Sequence, residues 1–217
     1  MKIDIVISDP KHPLRPVVQE WIAKQKKLRA KLLSDLGEAD GGDALVLIAC
    51  HQIVRPDIRG LYQRVYVTHA SDLPKGRGWS PVVWGVLQGE KTITVSLIEA
   101  AEPVDSGRIY AKFRSRLKKT DLSDNINGRL AKLIVRCLNL VASNPSAKPQ
   151  PQQGESTTYR RRRPDDSRVD PNQSIASQFD LLRVCDGERF PAFFELHGQR
   201  FELIIRKPPK KTGDGSR

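Results

Sequence analysis

Apolar residues along this chain fall into runs and periods that predict alternating strands and helices. Ile3–Ser8 alternates and is β-branched, while Ala44–Cys50 (ALVLIAC) is a continuous apolar run suited to a strand buried on both faces of a sheet. Between them, Val17, Trp21, Leu28, Leu32 and Leu36 predict one helix over Pro13–Leu36, stopped by Gly37, which makes a right-handed strand–helix–strand start. Arg55–Gly60 reads as a turn and Arg64–Thr68 as a short strand. A glycine-containing loop, His69–Ser80, leads to a helix that begins at Pro81 and ends near Gly89. Thr92–Ile98 and Arg108–Phe113 are predicted strands, and the loop between them holds Glu99, Glu102, Asp105 and Gly107.

The clearest helical stripe runs over Asn125–Val141, with Ser123 and Asp124 before it as caps. Residues 142–158 are rich in Ser, Pro, Gln and Asn and read as a surface linker. Residues 159–206 carry the run YRRRRP, a predicted helix over Ser174–Val184, and two strands, Ala192–Leu196 and Gln199–Ile205, joined tightly at His197–Gly198. The pattern is α/β: a Rossmann-like core over 1–141 with a mostly parallel sheet between helices, the linker, a C-terminal helix and hairpin, and a tail over 207–217 expected to be disordered.

The 217 residues suit an ordinary domain with a short appendage, and no stretch is long and apolar enough for a bilayer span or a signal peptide. A cytoplasmic location is the expectation. Three widely spaced cysteines, Cys50, Cys137 and Cys185, predict neither a disulfide framework nor a metal site. The net charge of +12 favours an anionic partner. Its largest cluster, Lys24, Lys26, Lys27, Arg29 and Lys31, falls on the first predicted helix and reads as a solvated face.

Two segments carry candidate chemistry: HASDLPKGRGWSP at His69–Pro81, and VDSG at Val104–Gly107. A His ending one strand can meet an Asp at the end of a neighbour, and a carboxylate beside imidazole raises its pKa and fixes its tautomer. In order and spacing these segments resemble the folate-dependent formyltransferases: His69, Ser71, Leu73–Pro74, Arg77–Gly78 and Asp105–Gly107 match that family's signature. The resemblance extends from Met1 to the PAFFE of Pro191–Glu195. It implies an enzyme that moves a formyl group from 10-formyltetrahydrofolate to an amine through a tetrahedral intermediate, with no metal. It makes His69, Asp105 and Ser71 the catalytic residues, His69 accepting the amine's proton or stabilising the oxyanion. It lines the folate cleft with Cys50, His51, Gln52, Ile53 and Val54 and with Glu99, Ala100, Ala101, Glu102 and Val104. His51 taken alone reads more often as a structural or solvent-facing residue than as a ligand.

One position departs from the family. Its Asn, two residues before the His, falls at Val67, which offers no hydrogen-bond donor, and Thr68 points to the opposite face of the strand. Either His69 with Ser71, or a backbone N–H, supplies the oxyanion donor, or turnover is poor.

The segment Thr158–Ser167 resembles the sugar-nucleotide N-formyltransferase branch. Lys75, Arg77, Gly78, Trp79, Tyr159, Arg161 and Arg162 are then the substrate-binding candidates, and a nucleotide-linked amino sugar is the expected acceptor. Guanidinium forks of Arg160–Arg163 could clamp a diphosphate, or the run could be a solvated basic turn. The alternatives are a phosphoribosylglycinamide-type or methionyl-tRNA-type formyltransferase, or a non-catalytic nucleotide- or nucleic-acid-binding relative disabled at Val67. Few aromatics interleave with the basic residues, which speaks against nucleic acid. The hairpin edge permits a homodimer.

Overall fold

The structure, a computed structural model, describes residues 1–143 and 148–209. Its centre is a six-stranded sheet built from β1 (Lys2–Val6), β2 (Arg29–Leu33), β3 (Gly42–Ile48), β4 (Tyr62–His69), β6 (Thr92–Glu99) and β7 (Ile109–Arg116), in the order β2-β1-β3-β4-β6-β7. The first four are parallel; β6 and β7 are antiparallel to their neighbours. Helices α1 (Arg15–Ala23), α3 (Pro81–Leu87) and α4 (Ser123–Ala142) flank it, with a single turn, α2, at Pro56–Arg59. The two-residue strands β5 (Arg77–Gly78) and β8 (Thr158–Tyr159) pair with each other. A short helix α5 (Phe179–Val184) and the hairpin of β9 (Ala192–Leu196) and β10 (Gln199–Leu203) follow.

The unbroken apolar run of β3 is buried on both faces, as a central parallel strand requires. One face packs Ile5, Val46, Tyr66 and Leu97 beneath Val18 and Trp21 of α1 and Ile134 and Leu138 of α4. The indole N–H of Trp21 donates to Asn139 Oδ1 at 2.7 Å, which fixes these helices to each other. The opposite face packs Val6, Leu45, Leu47 and Val65 against Leu33, Leu36 and Val54. Asp4, fully buried in β1, accepts a 2.5 Å hydrogen bond from the Tyr62 hydroxyl.

The predicted helix over Pro13–Leu36 is overturned. α1 ends at Ala23, and Arg29–Leu33 forms the edge strand β2, paired in parallel with β1. The four-residue spacing of Leu28, Leu32 and Leu36 suits a helix face, but the N–H and C=O groups along the outer side of β1 need partners, and pairing them outweighs local propensity. The basic cluster therefore lies on no helical face: Lys24 caps α1 and pairs with Glu20 at 2.5 Å, while Lys31 on β2 pairs with Asp40 at 2.9 Å. α5 is shorter than Ser174–Val184, and Leu122, not Ser123 or Asp124, is the N-cap of α4. His197 and Gly198 both adopt positive φ in the hairpin turn, as predicted. Of the predicted tail, 210–217 lies outside the described residues.

Gly107 begins the return into β7 with no room for a side chain: a Cβ there would lie 1.8 Å from the Glu99 carbonyl oxygen. In contrast, nothing lies within 4 Å of a Cβ at Gly128, inside α4. Gly107→Ala should therefore destabilise by about 1–3 kcal/mol or more, whereas Gly128→Ala should stabilise by up to about 1 kcal/mol. Urea denaturation of the two variants beside wild type reads both.

Candidate active site

His69 ends β4, at the carboxyl end of the parallel strands, and Asp105 lies in the connection from β6 to β7. β4 and β6 are hydrogen-bonded neighbours, so that connection returns across the end of β4. Asp105 adopts φ 61°, a conformation open to Asp because its short polar side chain can bond locally. The result is a contact of 3.2 Å between His69 Nδ1 and Asp105 Oδ1, with the two residues only 7% and 9% exposed. His69 Nε2 lies 2.8 Å from the Gly76 carbonyl oxygen. A carbonyl and a carboxylate only accept, so the imidazole faces an acceptor at each of its ring nitrogens.

The Asp105 carboxyl is pulled in two directions. Burial raises its pKa, but the hydrogen bond and charge of His69, the Gly78 N–H at 2.9 Å and the charge of Arg77 outweigh burial and hold it below the ordinary carboxylate value. The loop that supplies Gly76 and Gly78 is itself strapped down from the segment read as a linker. Gly76 N donates to Thr157 Oγ1 at 2.8 Å, Arg77 N to the Thr157 carbonyl at 2.9 Å, and Trp79 N to the Tyr159 carbonyl at 3.2 Å. Gln152 donates to the carbonyls of Asp105 at 2.7 Å and Gly107 at 2.8 Å, and accepts from Arg77 at 2.6 Å. Gln152 and Thr157 were not among the expected site residues. Their only sequence signal was polar composition, which cannot distinguish a strap from a linker.

Ser71 turns its hydroxyl inward, buried and without a hydrogen-bond partner among the described residues, against the loop at Gly76; its carbonyl accepts from Ser96 Oγ at 2.7 Å. Buried donors left unmatched are rare in folded proteins. Val67 is half-buried and packs against the same apolar cluster as Cys50 and Ala100, which lie one on each expected folate loop. The Thr68 hydroxyl donates to the Leu47 carbonyl at 3.2 Å and is unavailable.

Of the first folate loop, Val54 is buried, His51 N donates to Ser8 Oγ at 3.0 Å, and the Gln52 amide is spent on Asp35 and Leu36. Ile53 and Val104, one on each loop, expose 67% and 60% of their surface, apolar area suited to a flat ring system. Glu99 ends β6, while Ala101 and Glu102 lie on the loop that leads to Asp105.

The arginine run divides. Arg160 stacks on Trp84 at 4.7 Å and pairs with Asp166; Arg162 donates to Ser167 Oγ at 2.7 Å and to Cys185 Sγ at 3.4 Å. Tyr159 stacks on Trp84 and donates to Gln88 at 2.7 Å. Tyr159 and Arg160 hold the C-terminal segment to the core and Arg162 is bound within that segment, so a clamp of four converging arginines is not what forms. Arg161 instead lies 4.8 Å over Trp79, whose other neighbour is His51 at 5.1 Å, and Lys75 is exposed on the same loop. A cavity of about 570 Å³ lies elsewhere, between the loop before α1, α4 and the C-terminal segment, and contains neither His69 nor Asp105. Among the described residues no group of acidic, His and Cys side chains could hold a metal, and no helix is long and apolar enough to cross a membrane. The three cysteines are free.

The family model described as formyl transferase matches residues 4–141. A methionyl-tRNA formyltransferase of Anaeromyxobacter dehalogenans (strain 2CP-C) is 24% identical, over 94% of this chain and 71% of its own. Among solved structures, a methionyl-tRNA formyltransferase from Clostridium thermocellum superimposes with TM-score 0.81 at 24% identity, covering 98% of this chain and 95% of that one. A sugar N-formyltransferase from Shewanella sp FDAARGOS_354 gives TM-score 0.71 at 17% identity, covering 97% and 99%.

Because the folded pKa of Asp105 is depressed, its contribution to stability is present above the unfolded carboxylate pKa and is lost as pH falls through the folded value. Asp105→Asn should therefore be less stable than wild type at neutral pH, with the gap closing in acid. Urea midpoints at pH values on either side of the carboxylate range read the sign directly; a gap that widens in acid contradicts it.

Proposed function

The chain belongs to the formyl transferase family, enzymes that draw on 10-formyltetrahydrofolate, and we propose that its acceptor is the amine of a nucleotide-linked amino sugar. The observation that carries this reading is the face beside the His69–Asp105 pair, where Trp79 is bracketed by Arg161 and His51 and offers a ring and a guanidinium to a base and its phosphates. The fold shared with a sugar N-formyltransferase over nearly all of both chains supports it. A second reading, methionyl-tRNA as acceptor, is favoured by the relatives of that name and by the charge of +12.

In this proposal 10-formyltetrahydrofolate supplies the formyl carbon, held between the loops of Ile53 and Val104. The acceptor amine attacks the formyl carbon, His69 takes the proton the amine gives up and returns it to the folate nitrogen as that carbon–nitrogen bond breaks, and the tetrahedral oxyanion collapses to the new formamide. Asp105 orients the ring and stabilises its positive charge. The unmatched Ser71 hydroxyl provides the second oxyanion donor in place of the side chain missing at Val67. For His69 Nε2 to reach substrate, the Gly76 carbonyl must release it as substrate enters.

Formylfolate consumption with a panel of amino-sugar nucleotides and with methionyl-tRNA tests the acceptor, wild type beside His69→Ala and Asp105→Ala. Turnover of a sugar nucleotide, lost in both variants, is the expected outcome. Turnover of methionyl-tRNA alone, or of nothing in the panel, sinks the proposal. Ser71→Ala should lower kcat by about a hundredfold or more, without a loss of stability, since the hydroxyl has no partner to forfeit. Val67→Asn added to Ser71→Ala should restore part of that loss; equal kcat in the single and double variants would show that a side chain at position 67 does not supply the donor.

A further inference from the structure

The segment after α4 first meets the core at the start of β7, where Gln150 N donates to the Ile109 carbonyl at 2.9 Å and Ile109 N to the Gln150 carbonyl at 2.7 Å. This pairing sets the following residues over the bend that precedes β7. Two residues on, the half-buried Gln152 side chain reaches the bend itself. Its amide nitrogen gives one hydrogen to the Asp105 carbonyl at 2.7 Å and the other to the Gly107 carbonyl at 2.8 Å. A residue other than glycine keeps a positive φ only where its surroundings fix it, and these two bonds fix the backbone at Asp105, with φ 61°, and just beyond it.

The other end of the same amide holds a cation. Gln152 Oε1 accepts from Arg77 Nη2 at 2.6 Å, and among the described residues no other side chain bonds that guanidinium, whose Nε is buried without a partner. Asp105 faces His69, the Gly78 N–H and Arg77, and all three favour its ionised form against burial. Gln152 therefore meets the carboxylate by two routes, the backbone that aims it and the cation that faces it. The chemistry admits few substitutes: a carboxylate has no hydrogen to give the two carbonyls, an ammonium cannot accept from Arg77, and Asn is shorter by a methylene. The structural alternative is that Gln152 only ties the strap to the core. Backbone bonds already do so on both sides, at Ile109 before it and from Arg77 N to the Thr157 carbonyl after it, and they do not account for an amide spent wholly on Asp105, Gly107 and Arg77.

We infer that Gln152 is a positioning residue for formyl transfer, acting through Asp105 by aiming that carboxylate at His69 and keeping Arg77 beside it. The inference rests on the reading of His69 and Asp105 as the catalytic pair. With the clamp gone, the bend slackens, the 3.2 Å contact between His69 Nδ1 and Asp105 Oδ1 loosens, and the ring is less well placed as it carries the amine's proton to the folate nitrogen.

The Asp105 carboxyl carbon resonance, assigned by its loss in Asp105→Asn, is followed by NMR through an acid titration, which needs neither acceptor nor turnover. Gln152→Met should raise the midpoint by about half a unit or more, because His69 and Arg77 both hold it down in the wild type. Gln152→Asn, which keeps an amide in the segment, should move it the same way, and Gln153→Met, at the exposed neighbour, should leave it unchanged. In formyl transfer, Gln152→Met should lower kcat by about tenfold or more with KM unchanged, and should cost little further in the Asp105→Asn background. A midpoint that neither Gln152 variant moves, or that Gln153→Met moves equally, overturns the inference, as does a raised KM with kcat intact, which would put Gln152 against bound substrate. If Asp105→Asn keeps full turnover while Gln152→Met still raises the midpoint, the reading of the catalytic pair fails and the clamp on Asp105 stands.

Discussion

The contact between His69 and Asp105 is the constraint around which the rest of the molecule is arranged. A 3.2 Å approach of two buried polar groups depends on a strand ending in the right place and on a return loop bent tightly enough to cross it. The bend is made by Asp105 at φ 61° and by Gly107, whose missing side chain lets the chain pass the Glu99 carbonyl. Buried polar groups are costly unless their remaining lone pairs and hydrogens find partners. Gly76 and Gly78 meet that need from one loop, and Gln152 and Thr157 hold that loop and the bend together. The polar connection after α4 is thus part of the site's scaffold.

Positive charge is the chain's most conspicuous bulk property, yet much of it is spent locally. Asp72 takes both Lys112 and Arg114, Asp121 takes Arg129, and Asp166 takes Arg160. Arg162 is bound to a hydroxyl and a sulfur within its own segment. What bears on the proposed function is the cation set over an aromatic ring at the loop ends, Arg161 over Trp79. Net charge alone does not distinguish it from the solvated remainder.

The same division runs between sequence and tertiary structure. Continuous burial of β3, the single stripe of α4, the hairpin turn at His197–Gly198 and the pairing of His69 with Asp105 were all legible, because each depends on residues close in the chain or on a motif that spans known elements. Local pattern failed at β2, where leucines four apart satisfy a helix, and only the unpaired outer side of β1 decides for a strand. It failed again at Gln152 and Thr157, whose partners lie 47 and 81 residues away. It could not divide Arg160, Arg161 and Arg162 among three different surroundings. The sequence by itself determined the periods, the turns and the chemical groups. Which backbone edge is satisfied by which segment, and which charge meets a partner, was decided only by tertiary packing, because hydrogen bonds and ion pairs depend on distance in space and not along the chain.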